Sequence, residues 1–195
     1  MNKRYTLSKL GLLTVFIMAL SQNVRAEQDA TQLNLFNYFN QDVFAWGIFE
    51  ARFGDLKREF KVLIQGDVSG NTLVLNEYFI YADGERQTRI WRITKNDDNT
   101  YTGKADDVIG LANGVVTGNT LTWEYKLDLK TENNNLVVHF DDRMYLNDDG
   151  MIINRAIVTK WGIKIGEVSL FFAPASLVHD ATAMSKAFEE QFTKH

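Results

Sequence analysis

Residues 72–95 read TLVLNEYFIYADGERQTRIWRITK, which is two runs rich in β-branched and aromatic residues on either side of Asp83-Gly84. Residues of this type favour strands. The Asp-Gly pair tolerates the positive φ angles that a tight hairpin turn requires. The stretch therefore predicts two antiparallel strands joined by a short turn.

The same alternation of runs and turns continues in both directions from this hairpin. Further Gly, Asn and Asp clusters lie at 66–71, 96–99, 113–114, 118–119, 133–135 and 148–150. The runs between them predict ten strands, at 44–53, 58–65, 72–81, 87–95, 100–105, 110–116, 120–129, 136–146, 151–161 and 166–172. No helix of crossover length interrupts them, so the pattern indicates an antiparallel meander.

A meander of eight to ten strands has two unpaired edges, and closure into a barrel removes both. We therefore predict an all-β, up-and-down antiparallel barrel over residues 27–174. After the single proline, Pro174, the pattern changes: Met184, Phe188 and Phe192 recur every four residues, which predicts an amphipathic α-helix in a tail of residues 175–195. This helix either packs on the outside of the barrel or forms a loosely attached tail, and we expect residues 27–41 to hold a short turn or helix that closes the bottom of the barrel.

The first 26 residues have the three parts of an export signal. Lys3, Arg4 and Lys9 give a basic start, residues 10–20 are apolar, and Val24-Arg25-Ala26 has the spacing of a cleavage site. The apolar run is shorter than the roughly 20 residues of a membrane span. We predict a signal peptide at residues 1–26, no transmembrane segment after its cleavage, and a periplasmic or secreted protein.

Composition excludes several classes of function. The chain has no Cys, so disulfides, thiolate metal sites and Cys nucleophiles are excluded. The signal carries four basic residues and no acidic one, so its removal changes the net charge from −4 to −8. The negative charge of the chain disfavours binding to nucleic acid, and it disfavours anionic headgroups as the main partner.

Several motifs stand in order along the predicted strands: Ala45-Trp46-Gly47, Arg89-x-Trp91, Tyr101-x-Gly103, Asp148-Asp149-Gly150, Lys160-Trp161-Gly162 and Leu170-Phe171-Phe172. This set resembles an uncharacterised family of exported bacterial proteins, often lipoproteins, known only as a domain of unknown function. The resemblance covers about residues 40–174 and implies a lipocalin-like (calycin-type) barrel with no established activity. Members are often encoded near genes for fatty-acid modification, which implies a lipid context. This chain lacks the Cys that would anchor a lipoprotein.

Alternation also predicts which side chains enter the barrel, because residues i and i+2 share one face of a strand. Glu77, Asp142 and Arg155 each lie among apolar residues on one such face. Strand 87–95 is ambiguous, since Arg89-Trp91-Ile93 and Ile90-Arg92 are both plausible inward sets. The candidate luminal residues are Glu77, Phe79, Tyr81, Trp91, Arg92, Asp142, Arg155 and Trp161.

Buried charges need partners, and two interpretations of these residues remain open. In the first, Arg155 or Arg92 grips the carboxylate of a hydrophobic ligand such as a fatty acid. In the second, Glu77, an arginine and Asp142 pair internally and fix the barrel register. The function predicted is an exported protein that binds or carries a fatty-acyl or lipid-type molecule. The alternatives are an isomerase- or hydratase-type enzyme that uses Glu77 or Asp142 as a base, and a structural protein of envelope assembly.

The sequence has no strong signal of catalysis or of metal binding. His139 is the only histidine outside the tail, and the chain has neither a Gly-x-Ser-x-Gly elbow nor paired zinc-binding histidines. Acidic pairs such as Asp106-Asp107 lack the spacing of a calcium loop. We therefore predict no catalytic residue, no metal and no cofactor. The predicted partner is a hydrophobic small molecule, and the oligomeric state is left open.

Overall fold

The computed structural model describes residues 32–130 and 135–193, and ten of its strands form one closed antiparallel barrel. The strands are β1 (Asp42–Ala51), β2 (Leu56–Ser69), β3 (Thr72–Tyr81), β4 (Arg86–Lys95), β5 (Thr100–Lys104), β6 (Val108–Thr117), β7 (Thr120–Lys130), β8 (Asn135–Leu146), β9 (Ile152–Lys160) and β10 (Ile163–Pro174). Each strand pairs with its neighbours in sequence, and β1 closes the barrel by pairing with β10 from Val43–Pro174 to Ala51–Gly166. The predicted fold class is confirmed.

A short helix closes one end of the barrel, which we call the closed end. Helix α1 (Leu35–Phe39) begins at Asn34, whose side-chain oxygen accepts a hydrogen bond from the Asn37 amide at 3.0 Å. Leu35 and Phe39 are buried and line the barrel interior. Apolar side chains just before β1 thus cover the lumen, as the sequence predicts for this segment.

Two glycines that the sequence assigns to turns lie inside strands. Gly66 belongs to β2, where a Cβ atom would stand 1.7 Å from the Phe39 carbonyl oxygen, so only glycine lets α1 approach the sheet. Gly114 belongs to β6, where a Cβ atom would stand 2.3 Å from the Trp123 ring. The turn predicted at 66–71 is therefore confined to Gly70-Asn71, and the turn signal at Asn113-Gly114 is wrong, because Gly66 and Gly114 serve close packing within strands.

The predicted C-terminal helix packs on the outer wall of the barrel. A 3₁₀ turn (Ala175–Leu177) follows β10 and leads to α2 (Ala181–Phe192). Phe188 is buried against Phe44 and Leu63, which point outward from β1 and β2. The amphipathic spacing thus corresponds to a real contact face.

The predicted signal peptide, residues 1–26, lies outside the described residues and stays a prediction. Among residues 32–130 and 135–193, no helix has the length and apolar character needed to cross a membrane.

Candidate functional site

The barrel encloses a cavity of about 440 Å³ that extends from the closed end towards the opposite, open end. Leu35 and Phe39 form its floor, and Phe49, Leu129 and Ile165 line it near the open end. Most of its wall is aliphatic or aromatic, with Trp91, Trp123, Tyr125 and Phe140 in ring contacts across the lumen. The lumen is therefore not filled by side chains, and its size lies within the range of roughly 300 to 1,000 Å³ typical of ligand pockets.

Polar residues interrupt this apolar wall at two levels. Arg58, Tyr81 and Gln87 lie near the open end, and five further residues form what we call the luminal polar cluster: Glu77, Arg89, Tyr125, Asp142 and Asn154. They come from β3, β4, β7, β8 and β9, so alternation on five strands brings them to one interior. Asn154 Nδ2 donates a hydrogen bond of 2.7 Å to Asp142 Oδ1. Asp142 Oδ2 and Asn154 Oδ1 are buried and accept no hydrogen bond from the described residues.

Burial changes the protonation of the two acids in the cluster. Removal from water raises the pKa of Glu77 from 4.5 to about 7, against the lowering effect of the nearby Arg89 charge. The same cause raises the pKa of Asp142 from 3.8 to about 7, against the hydrogen bond from Asn154. Near neutral pH both carboxyl groups therefore exchange protons readily and can donate as well as accept hydrogen bonds.

Two guanidinium groups border the cavity, and each is matched by a carboxylate. Arg58, near the open end, lies 2.8 Å from Glu85. Arg89 lies directly opposite Glu77 in the β3–β4 pairing, yet its Nε and Nη2 atoms donate to Asp107 Oδ2 at 3.0 and 2.8 Å. Burial lowers the pKa of Arg89, but the surrounding acids Glu77 and Asp107 raise it above its usual value. Arg89 is thus a permanent cation whose charge Asp107 balances.

Asp107 lies at a gap in the barrel wall. Strand β4 pairs with β5 only from Arg92 to Lys95, so among the described residues 86–91 have no strand partner on that side. The turn between β5 and β6 faces this gap, and the Arg89–Asp107 ion pair spans it. A side-chain ion pair thus links β4 to the β5–β6 turn where backbone pairing between strands is absent.

Five of the eight predicted site residues line the cavity: Glu77, Phe79, Tyr81, Trp91 and Asp142. Glu77 and Asp142 belong to the polar cluster, and Trp91 packs edge-on against Trp123 with ring centres 5.7 Å apart. Near the open end, Tyr81 donates a hydrogen bond to Gln87 Oε1 at 2.9 Å. Their role in ligand binding stays a prediction.

The predicted luminal position of the other three residues is wrong. Arg92 points outward because its neighbour Trp91 points inward, and consecutive residues of a strand face opposite sides. Arg155 lies on the outer face of β9, where its Nε donates to Glu167 at 2.7 Å, while Asn154 enters the lumen. Trp161 lies in the turn after β9 and is 88% exposed.

Sequence reasoning missed Arg58, Gln87, Tyr125 and Asn154 as cavity residues, and it left Arg89 as one of two alternatives for its strand. For Arg89 a signal was present. The turn at Asp83-Gly84 leaves four residues between β3 and β4, and the resulting register puts Arg89 opposite Glu77. An inward Glu77 therefore requires an inward Arg89 and Trp91, and excludes Arg92.

Residues 13–174 match the protein family described as "Protein of unknown function (DUF3833)". The chain belongs to this family. The match covers the whole barrel and agrees with the resemblance drawn from the motifs. Membership in DUF3833 assigns no activity to the cavity, and no curated protein matches the chain.

Among solved structures, the DUF3833 barrel is similar to the S-type phycobiliprotein lyase CPES from Guillardia theta. The TM-score is 0.52 at 6% sequence identity, over 70% of this chain and 87% of that chain. At this identity the similarity shows the fold alone, which is a lipocalin-like barrel.

Proposed function

We propose that the barrel binds one molecule with a long apolar part, of fatty-acyl or lipid type, outside the cytoplasm. The observation that carries the proposal is the open, apolar cavity of about 440 Å³. With about 30 Å³ for a group the size of water or methylene, this volume corresponds to roughly fifteen such groups. An acyl chain of about that length suits it. The similar barrel that is described as a phycobiliprotein lyase gives weaker support, through the fold alone.

The charges in the lumen favour a ligand whose polar group is uncharged. Arg89 is matched by Asp107, and the two carboxyl groups would repel a third. Asn154 Oδ1 is buried without a hydrogen-bond donor among the described residues, and a small shift of its side chain would let it accept one from a ligand hydroxyl or amide. The proposed class is therefore an acyl ester, alcohol or amide rather than a free fatty acid gripped by arginine.

Quenching of tryptophan by brominated acyl chains tests this proposal, because Trp91 and Trp123 line the cavity. We would titrate the protein at pH 8 with dibrominated palmitoyl glycerol and with dibrominated palmitic acid, each below its micelle concentration. We expect saturable quenching, with the glycerol ester binding at least about tenfold more tightly, a difference of about 1.4 kcal/mol. Equal or tighter binding of the acid would contradict the assignment of an uncharged polar group.

A matched pair of variants separates luminal binding from surface binding. Ala156→Phe adds a ring inside the lumen, whereas Ile153→Phe adds one on the outer face of the same strand. We expect Ala156→Phe to abolish the quenching and Ile153→Phe to retain it. Loss in both variants or in neither would refute a luminal site.

One observation favours a second candidate, an enzyme that acts on the same ligand. Two carboxyl groups with a pKa of about 7 border the cavity, and general acid–base catalysis works best with such values. Incubation with unlabelled palmitoyl glycerol, extraction and mass spectrometry would detect a product. A product made by the wild type but not by Glu77→Gln would support an enzyme. An unchanged ligand would support a carrier that does not transform it.

A further inference from the structure

Two hairpin turns form one side of the open end of the barrel, and we call them the lip: residues 52–57, around the β1–β2 turn, and residues 160–164, around the β9–β10 turn. The two turns adjoin, because β1 pairs with β10 as far as Ala51–Gly166 and the Arg52 amide donates to the Ile165 carbonyl at 3.0 Å. Phe49 and Ile165, just inside the lip, line the cavity. The lip is therefore the rim of the cavity.

Large apolar side chains on the lip point into solvent. Phe53 is 89% exposed and Trp161 is 88% exposed, and Leu56 and Ile163 beside them are more than half exposed. Four such residues on two adjoining turns concentrate exposed apolar surface at this rim, which in a folded protein marks an interaction site.

The backbone at Trp161 strengthens this interpretation. Trp161 and Gly162 form a two-residue turn with φ angles of 52° and 77°, a geometry for which the first position favours Asn, Asp or Gly. A bulky side chain in this left-handed region is strained. Because the ring is almost fully exposed, its packing within the barrel does not offset that strain.

Basic side chains surround these apolar groups. The lip carries the cations Arg52, Lys57, Lys160 and Lys164, in a chain whose net charge is −4. Lys57 pairs with Asp55 at 3.6 Å and Lys164 with Glu167 at 2.7 Å, so Arg52 and Lys160 are the cations without a carboxylate partner among the described residues. The Lys160 amine lies 4.4 Å from the centre of the Trp161 ring, and the Arg52 guanidinium lies 5.5 Å from that of Phe53. Exposed aromatic rings interleaved with cations are typical of the interface of an anionic bilayer.

We propose that the lip docks on the surface of an anionic phospholipid bilayer, with Phe53 and Trp161 in the headgroup region. The mouth of the cavity then faces the membrane. This refines the expectation from net charge: the chain as a whole is acidic, but its cations are concentrated where the apolar side chains are exposed. The proposal does not depend on what the cavity binds.

Vesicle flotation tests this surface directly. The chain is expressed from its full coding sequence and purified in the form that the cell produces, so that the wild type and all variants share one N-terminus. It is mixed with vesicles of phosphatidylethanolamine and phosphatidylglycerol, or of phosphatidylcholine alone. We expect the wild type to float with the anionic vesicles, and more weakly as salt rises from about 0.1 to about 1 M, where charges are screened beyond about 3 Å.

Three variants locate the contact. Trp161→Asn removes the ring and places a favoured residue in the turn, so its thermal midpoint should equal or exceed that of the wild type. Phe53→Ser removes the other ring, and Leu177→Asn removes a 52% exposed leucine at the closed end as the matched control. We expect the first two to weaken vesicle affinity at least about tenfold and the control to leave it unchanged.

Other results would overturn the proposal. They are an absence of wild-type flotation, equal binding to phosphatidylcholine, or lip variants that float like the wild type. Sedimentation without vesicles tests the alternative that the lip binds a second copy of the chain. If the wild type is an oligomer that Trp161→Asn dissociates, the lip is a subunit interface and the membrane proposal fails.

Discussion

Asp142→Asn should make the protein less sensitive to alkaline pH. Asp142 is buried, and its pKa is raised from 3.8 to about 7 by removal from water. The folded protein therefore holds this proton more tightly than the unfolded chain does. The contribution to stability is complete below pH 3.8 and is lost as pH rises through about 7. Asn cannot ionise, and it keeps the oxygen to which Asn154 donates.

The size of the effect follows from the two pKa values. One pKa unit corresponds to about 1.4 kcal/mol, so complete ionisation of the folded-state carboxyl costs about 4 kcal/mol. At pH 5 less than half of this cost is felt, because the folded carboxyl is still protonated while the unfolded one is mostly ionised. Between pH 5 and pH 8 the wild type should therefore lose about 2 to 3 kcal/mol that the variant keeps, a large share of a domain's roughly 5 to 15 kcal/mol.

Urea unfolding followed by tryptophan fluorescence at pH 5 and pH 8 measures this difference. The matched control is Asp148→Asn, an exposed carboxylate in the turn that follows β8. We expect the control to keep the pH dependence of the wild type. If Asp142→Asn loses as much stability between pH 5 and pH 8 as the wild type does, then ionisation of Asp142 in the folded protein is not the cause of the loss.

Three further predictions concern packing and pH. Gly114→Ala should lower the free energy of unfolding, measured with urea, by about 1 to 3 kcal/mol, because its Cβ atom would overlap the Trp123 ring. An unchanged urea midpoint would refute the close contact. Phe188→Ala should cost about 3 kcal/mol, since the ring is buried between α2 and Leu63, and wild-type stability would mean that α2 is detached in solution. An uncharged acyl ligand should bind more weakly at pH 8 than at pH 6, because an ionised Glu77 would be buried beneath it, and Glu77→Gln should reduce this difference in the quenching titration.

Strand periodicity and turn residues were sufficient to predict the fold. All ten strands, the helix before β1 and the helix after β10 lie where the alternation and spacing indicate. The errors concern glycine, which the chain uses in two ways. Gly84 has a φ of 88° in a turn, whereas Gly66 and Gly114 lie in strands because α1 or Trp123 approaches the backbone there. Both uses look alike in the sequence, since the atoms that demand the glycine come from distant residues.

Prediction of the luminal residues succeeded where one face of a strand is clearly more apolar than the other. In β3 and β8 the apolar face carries a single acid, Glu77 or Asp142, and both enter the lumen. Strand β9 has apolar residues on both faces: Ile153 is about half exposed while Ile152 is fully buried. Alternation alone cannot orient such a strand. Register across the barrel decides it, and that depends on closure through β10.

The charges of the barrel are separated in a way that bears on both proposals. Inside, Arg89 is matched by Asp107 and the acids Glu77 and Asp142 are largely protonated below pH 7, so the lumen carries little net charge. At the lip the unmatched charge is positive. A phosphate headgroup would be attracted to the lip but would meet carboxyl groups without a free cation if it entered the lumen. The arrangement therefore favours a division in which anionic headgroups stay outside while an uncharged acyl part enters.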